Sequence, residues 1–144
     1  MLPLDERFSN ALHNAARAWR LAVDRRLKHL GLSQAGWMTV TVLAKATQPL
    51  SQVDLANRLG VEGATMVAMI DRLEKAGLVV RKPSESDRRV KWVELTEAGD
   101  RLYGLVKAES NTFRNEFLKD IDAESLLIAT ELLERLHGVA ESAK

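Results

Sequence analysis

Between Ser51 and Leu95 the chain changes its hydrophobic period with almost no linker between the pieces, and that run restricts the fold more than any other feature. In "SQVDLANRLG", Val53, Leu55, Ala56 and Leu59 recur at helical spacing. Ser51, with Asp54 three residues on, forms a capping box that starts the helix. Gly60 closes it and leaves a turn of three or four residues. From about Gly63 to Ala76 a second helical period sets Met66, Ile70 and Leu73 on one face, and Gly77 stands where a left-handed terminal glycine belongs. Two short helices about a tight turn make a candidate helix-turn-helix over about 51–76, although an ordinary αα-corner has the same spacing. The period then falls to two. "LVVRK" and "VKWVEL" read as strands on either side of the turn cluster "PSESD", which gives a β-hairpin over about 78–95. Val93 and Leu95 share one face of the second strand, Trp92 and Glu94 the other.

Longer helices flank this centre. Phe8, Leu12, Ala16, Trp19, Val23, Leu27 and Leu30 step by three and four, so residues 5 to 30 form one amphipathic helix ended by Gly31. Ser33 caps a second helix to about Ala46, before the break at Pro49. Thr96 caps a helix to about Leu118, and a last one runs from Asp122 to about Ala140. The fold class is therefore mainly α with a small β-hairpin: a winged helix-turn-helix with N- and C-terminal dimerisation helices, forming one domain over 1–144. The outer helices, over 1–30 and about 97–144, carry more leucine than one small domain needs. Phe8, Leu12, Leu126, Leu133 and Leu136 are the expected homodimer contacts.

Charge narrows the function. The net charge is only +1, yet residues 72–91 hold 7 basic and 3 acidic side chains, while residues 92–144 hold 6 basic and 11 acidic. A positive field confined to about twenty residues suits a local polyanion, though a solvated hairpin would look the same. The chain has no cysteine, which removes disulfides, thiol nucleophiles and Cys-ligated zinc. His13, His29 and His137 are scattered, with no metal-binding helix motif and no glycine-rich phosphate loop. No catalytic residue, metal or cofactor is expected. The N-terminus lacks a signal-peptide pattern and no apolar run reaches the roughly 18 residues of a membrane span, so a cytoplasmic protein without membrane contact is expected.

The sequence resembles the multiple antibiotic resistance regulator (MarR) family, and within it the SlyA-like group. "DRRVKWVELTEAG" fits the family wing pattern D-x-R-x(3)-V-x-L-T-x(2)-G at Asp87, Arg89, Val93, Leu95, Thr96 and Gly99. "LEKAGLVVR" is similar to the family's helix-to-wing junction, and "AWRLAVDRRLKHLGLSQAGWMTV" to the SlyA-type start. The resemblance implies an obligate homodimer in which the first helix and the last two pair, and two winged domains straddle double-stranded DNA. It implies a transcriptional regulator, often a repressor, released by a small phenolic or aromatic carboxylate effector bound between the dimerisation and DNA-binding regions.

On that footing, the DNA-binding region spans about 33–95. Ser51 and Gln52, at the start of the first corner helix, are phosphate candidates, as are Arg81 and Lys91 flanking the wing. Thr65, Ala68 and Arg72 lie on the outward face of the reading helix. Where Ala68 stands, SlyA-like relatives have arginine, and where Ala64 stands they often have proline. Ala64, Ala68 and Met69 are left to offer apolar contact to thymine methyls, so readout should lean on DNA shape. The wing would enter the minor groove with Arg88 or Arg89. Asp87 is acidic in this loop, either to orient Arg89 or to pin the turn's amides. The resemblance points to Arg20, Ser33 and Trp37 for the effector; the plainer reading is that Trp37 is core and Arg20 joins an ion pair. The alternative function is a winged-helix protein–protein interaction module that does not bind DNA.

Overall fold

A computed structural model describes residues 1–143. The element order is α1 (Leu4–Leu27), a 3-10 turn (Lys28–Leu30), α2 (Gln34–Lys45), β1 (Leu50–Ser51), α3 (Gln52–Leu59), α4 (Gly63–Lys75), β2 (Val79–Pro83), β3 (Lys91–Leu95), α5 (Glu97–Leu118) and α6 (Ala123–Ser142). The chain divides after Ser110 into two compact units.

The first unit is built around the helical corner. Ser51 Oγ accepts from Asp54 N–H at 3.1 Å and Asp54 Oδ2 accepts from Ser51 N–H at 2.9 Å, so the capping box satisfies donors at both ends. Gly60 stops α3 with φ 68°, a conformation that a side chain would strain, and its N–H reaches Ala56 O and Asn57 O. The two helices then close on a shared core of Leu50, Leu55, Ala56, Met66, Met69, Ile70, Leu73, Val79 and Val93. Each of the larger side chains contributes about 1.5–3 kcal/mol by leaving water. Met69 is 5% exposed. Its position, one residue from Ile70, places it inside the apolar arc of α4 rather than on the outward face, so the expected thymine contact is corrected to a core role.

The hairpin is joined by a strand that the local pattern did not announce. Leu50 and Ser51 pair antiparallel with Val93 and Trp92, giving a three-stranded sheet in the order β1-β3-β2. The β2–β3 register runs from Val79 opposite Leu95 to Pro83 opposite Lys91. Val79 and Val93 turn into the core while the tip stands in solvent. The same unit holds α1, where Val23 and Leu27 are buried but every residue from Leu4 to Arg20 is exposed.

The sheet hands over to α5 through Thr96. Its N–H donates to Leu78 O at 3.0 Å, its Oγ1 donates to Gly77 O at 2.6 Å, and Oγ1 accepts from Gly99 N–H at 3.1 Å. One threonine thus ties the end of α4 to the start of α5. In the second unit, Phe113 and Phe117 stack at 4.1 Å, and Asp122 Oδ2 caps α6 by accepting from Ser125 N–H at 2.9 Å. That backbone hydrogen bond is the main reason the Asp122 carboxyl lies below the ordinary aspartate value. Leu126 is half-buried, whereas Leu127, Ile128, Leu132, Leu133, Leu136 and Val139 are exposed.

Candidate nucleic-acid interface

The reading-helix candidate is α4. With Met66, Met69, Ile70 and Leu73 buried, Ala64, Thr65, Ala68, Asp71, Arg72 and Lys75 are exposed. Glu62, at the N-cap, makes no side-chain cap, so the first amides of α4 are left to water or to a ligand. Asp71 also belongs to this outward surface, although the steps of three and four through Thr65, Ala68 and Arg72 pass it by.

The wing tip is closed by its own bonds. Ser84 N–H donates to Val90 O and Val90 N–H to Asp87 O, both at 3.0 Å. The Ser84 side chain is buried and its Oγ accepts from the amides of Ser86 and Asp87. Asp87 Oδ1 accepts from Arg89 N–H at 3.0 Å and Nε–H at 3.1 Å, and Oδ2 accepts from Nη2–H at 3.2 Å. Both alternatives for Asp87 therefore hold at once: it orients Arg89 and pins the turn. The Arg89 side-chain bond, and then its amide, hold the Asp87 carboxyl below the ordinary aspartate value. Arg88 is exposed at the turn beside this pair and has no side-chain partner among the described residues. Lys91 is exposed, and Lys82 Nζ meets Glu94 Oε2 at 2.8 Å.

Arg81 is placed otherwise than expected. Its side chain is 18% exposed, and four of its five N–H donors have partners within the protein. Nε donates to Gln52 Oε1 at 2.7 Å, Nη1 to Glu74 Oε1 at 3.0 Å, and Nη2 to Asp71 Oδ1 at 2.7 Å and Val67 O at 3.3 Å. The charge expected to meet a phosphate is thus shared among acceptors of α3 and α4. Gln52 presents its amide oxygen to Arg81, which leaves its NH₂ as the outward group. Ser51 keeps only its hydroxyl proton to offer, because its oxygen caps α3.

The three effector candidates have different surroundings. Arg20 lines a cleft of about 300 Å³ with Gln34, Ala35, Met38, Leu59 and Val61. Ser33 and Trp37 do not line it. Ser33 Oγ caps α2 by accepting from Gly36 N–H at 3.1 Å, and the Trp37 indole donates to Asp24 Oδ1 at 3.1 Å, fastening α2 to α1. Among the described residues no group of His, Cys, Asp and Glu has the arrangement of a metal site, and no helix is long and apolar enough to cross a membrane.

A helix-turn-helix with an exposed second helix and a cation-tipped hairpin defines a winged-helix DNA-binding transcriptional regulator. Residues 32–91 match the MarR family, and the chain belongs to that family. It is 38% identical to the transcriptional regulator PA3341, with a TM-score of 0.85 over 94% of this chain and 98% of that one. The transcriptional regulator BldR from Sulfolobus solfataricus is 29% identical, with a TM-score of 0.80 over 99% of each chain. A Staphylococcus aureus MarR in complex with salicylate and kanamycin shares the fold at 19% identity, with a TM-score of 0.86 over 98% of this chain and 95% of that one.

Proposed function

We propose that the protein acts as a homodimeric repressor that binds a pseudo-palindromic operator and is released by a small aromatic anion. The observation that carries the reading is the pairing of an exposed α4 face with an unpartnered cation, Arg88, at the wing tip. Residues 33–95 form the DNA-binding region. Ala64, Ala68 and the Thr65 methyl meet thymine methyls in the major groove, and Thr65 Oγ1, Arg72, Lys91, Ser51 and the Gln52 NH₂ meet the backbone. Arg88 enters the minor groove, while Asp87 holds Arg89 against the turn as a second, oriented charge. With no arginine at position 68, operator choice rests on groove shape and methyl contacts more than on guanine readout.

Helices α1, α5 and α6 supply the dimer contacts. Support comes from Phe8 and Leu12 on an α1 segment whose residues all stand in water, and from the exposed Leu133 and Leu136 on α6, with Leu126 beside them half-buried. An apolar row of this length on a free chain is a surface awaiting a partner. The effector reading rests on Arg20, which lines a cleft with Gln34 beside the apolar Met38, Leu59 and Val61, a pairing of charge and apolar surface that suits a carboxylate carried on a ring. Salicylate, held by the Staphylococcus aureus relative, is such a molecule.

A titration of the duplex directly upstream of the protein's own gene tests the reading. Binding should weaken steeply with salt, with a slope of roughly −0.9 per neutralised phosphate, and should fall when salicylate is added. Failure to bind that duplex at low salt would turn the assignment toward the protein–protein module.

A further inference from the structure

Arg81 stands at the junction of three elements that face DNA in the proposed function, and every strong partner it has is internal. It leaves β2, takes Gln52 from the first residue of α3, and takes Val67 O, Asp71 and Glu74 from successive turns of α4. Its own N–H also donates to Glu74 Oε2 at 3.3 Å. The planar fork suits this work, since it offers donors in fixed directions to several acceptors at once. Asp71 and Glu74 are 61% and 44% exposed, so each carboxylate stands at the surface of the helix that would approach phosphates. A bare carboxylate there opposes binding.

We propose that Arg81 is a positioning residue of the DNA interface, which fixes Gln52, the reading helix and the wing relative to one another and cancels the charges of Asp71 and Glu74, without touching phosphate itself. The inference rests on the DNA-binding reading above. It follows that Gln52 presents NH₂ rather than oxygen outward because Arg81 claims the oxygen, and that the wing cannot pivot on α4 while the fork is closed.

Lysine separates a positioning role for Arg81 from a phosphate contact. A lysine serves a phosphate nearly as well as arginine, as a point charge, but cannot hold four acceptors in one plane. Anisotropy titrations of the same upstream duplex against wild type, Arg81→Lys, Arg81→Gln and the triple variant Arg81→Gln/Asp71→Asn/Glu74→Gln form the test, with circular dichroism to show that each is folded. Positioning predicts that Arg81→Lys binds roughly tenfold more weakly with an unchanged salt slope, and that the triple variant binds more tightly than Arg81→Gln because its bare carboxylates are gone. Near-wild-type affinity for Arg81→Lys overturns the proposal. So does an Arg81→Gln slope shallower by about 0.9 with no recovery in the triple variant, which marks a lost phosphate contact. If wild type itself ignores the duplex at low salt, the DNA-binding reading fails first, and that outcome is distinct from the others.

Discussion

Replacing Gly99 by alanine should damage the fold out of proportion to one methyl group. A Cβ built there lies 2.2 Å from Leu78 O and 3.1 Å from Leu95 Cδ2. Carbon and carbonyl oxygen pack at about 3.3 Å, so the start of α5 must retreat by about 1 Å from the start of β2. Overpacking of this kind costs about 1–3 kcal/mol. The retreat also strains the bond from Thr96 N–H to Leu78 O, now 3.0 Å, whose net worth is about 0.5–1.5 kcal/mol. The sum is about 1.5–4.5 kcal/mol, a large part of the ~5–15 kcal/mol by which domains are stable. For a chain of this size that lowers Tm by roughly 10 °C. The control is Gly104→Ala in the same helix, where nothing beyond the adjoining residues and the helix's own backbone lies within 4 Å of the added carbon. There the gain in helix propensity, about 0.5–1 kcal/mol, should raise Tm slightly. Both variants are to be melted at one protein concentration, because dimerisation makes Tm depend on it. Equal shifts for the two, or no shift for Gly99→Ala, would show that the close approach to Leu78 does not limit the fold.

Three further outcomes follow from local geometry. Ser51→Ala removes the acceptor for Asp54 N–H and should cost about 1 kcal/mol, seen as a lower urea midpoint at constant m-value; an unmoved midpoint counts against the capping box. Arg88→Ala, which removes a cation from the minor groove, should weaken binding to the upstream duplex and make the salt slope shallower, whereas unchanged affinity and slope remove Arg88 from the DNA interface. Asp87, held below the ordinary aspartate pKa of about 3.9, contributes its turn bonds fully above that value and loses them only as pH falls through the lower folded-state one. A carboxyl carbon titration by NMR should therefore give a midpoint below about 3.9, and a midpoint at or above it contradicts the Arg89 contacts.

How much of this could be read from the chain depends on how local each cause is. The capping box at Ser51 and Asp54 and the left-handed stop at Gly60 act within four residues, and both stand where their residue types put them. The hairpin has the alternation that its strands require. The strand at Leu50 and Ser51 has only two residues, too few for any period, and exists because β3 offers it an edge. Met69 was misplaced because Ile70 already marks the apolar face, and sequence spacing alone does not say how wide that face is. The role of Arg81 was hidden for a different reason. Gln52 lies 29 residues before it and Asp71 ten, and nothing in a linear pattern says that a basic residue on a strand will meet two carboxylates on a helix. Trp37 and Ser33 show the same limit, since a linear pattern does not say that the Trp37 indole meets Asp24 thirteen residues before it or that Ser33 also caps α2.

The self-closed wing tip has an evolutionary consequence. Ser84, Asp87 and Val90 complete the loop among themselves, and Thr96 secures its base, so the fold asks nothing of Arg88. Ala64 and Ala68 are equally free of the core. A duplicated copy of such a chain can change these three positions one at a time and acquire a new target while keeping its stability. Divergence of regulation within a lineage should then be written at Arg88, Ala64 and Ala68, while Ser84, Asp87 and Thr96 stay constant.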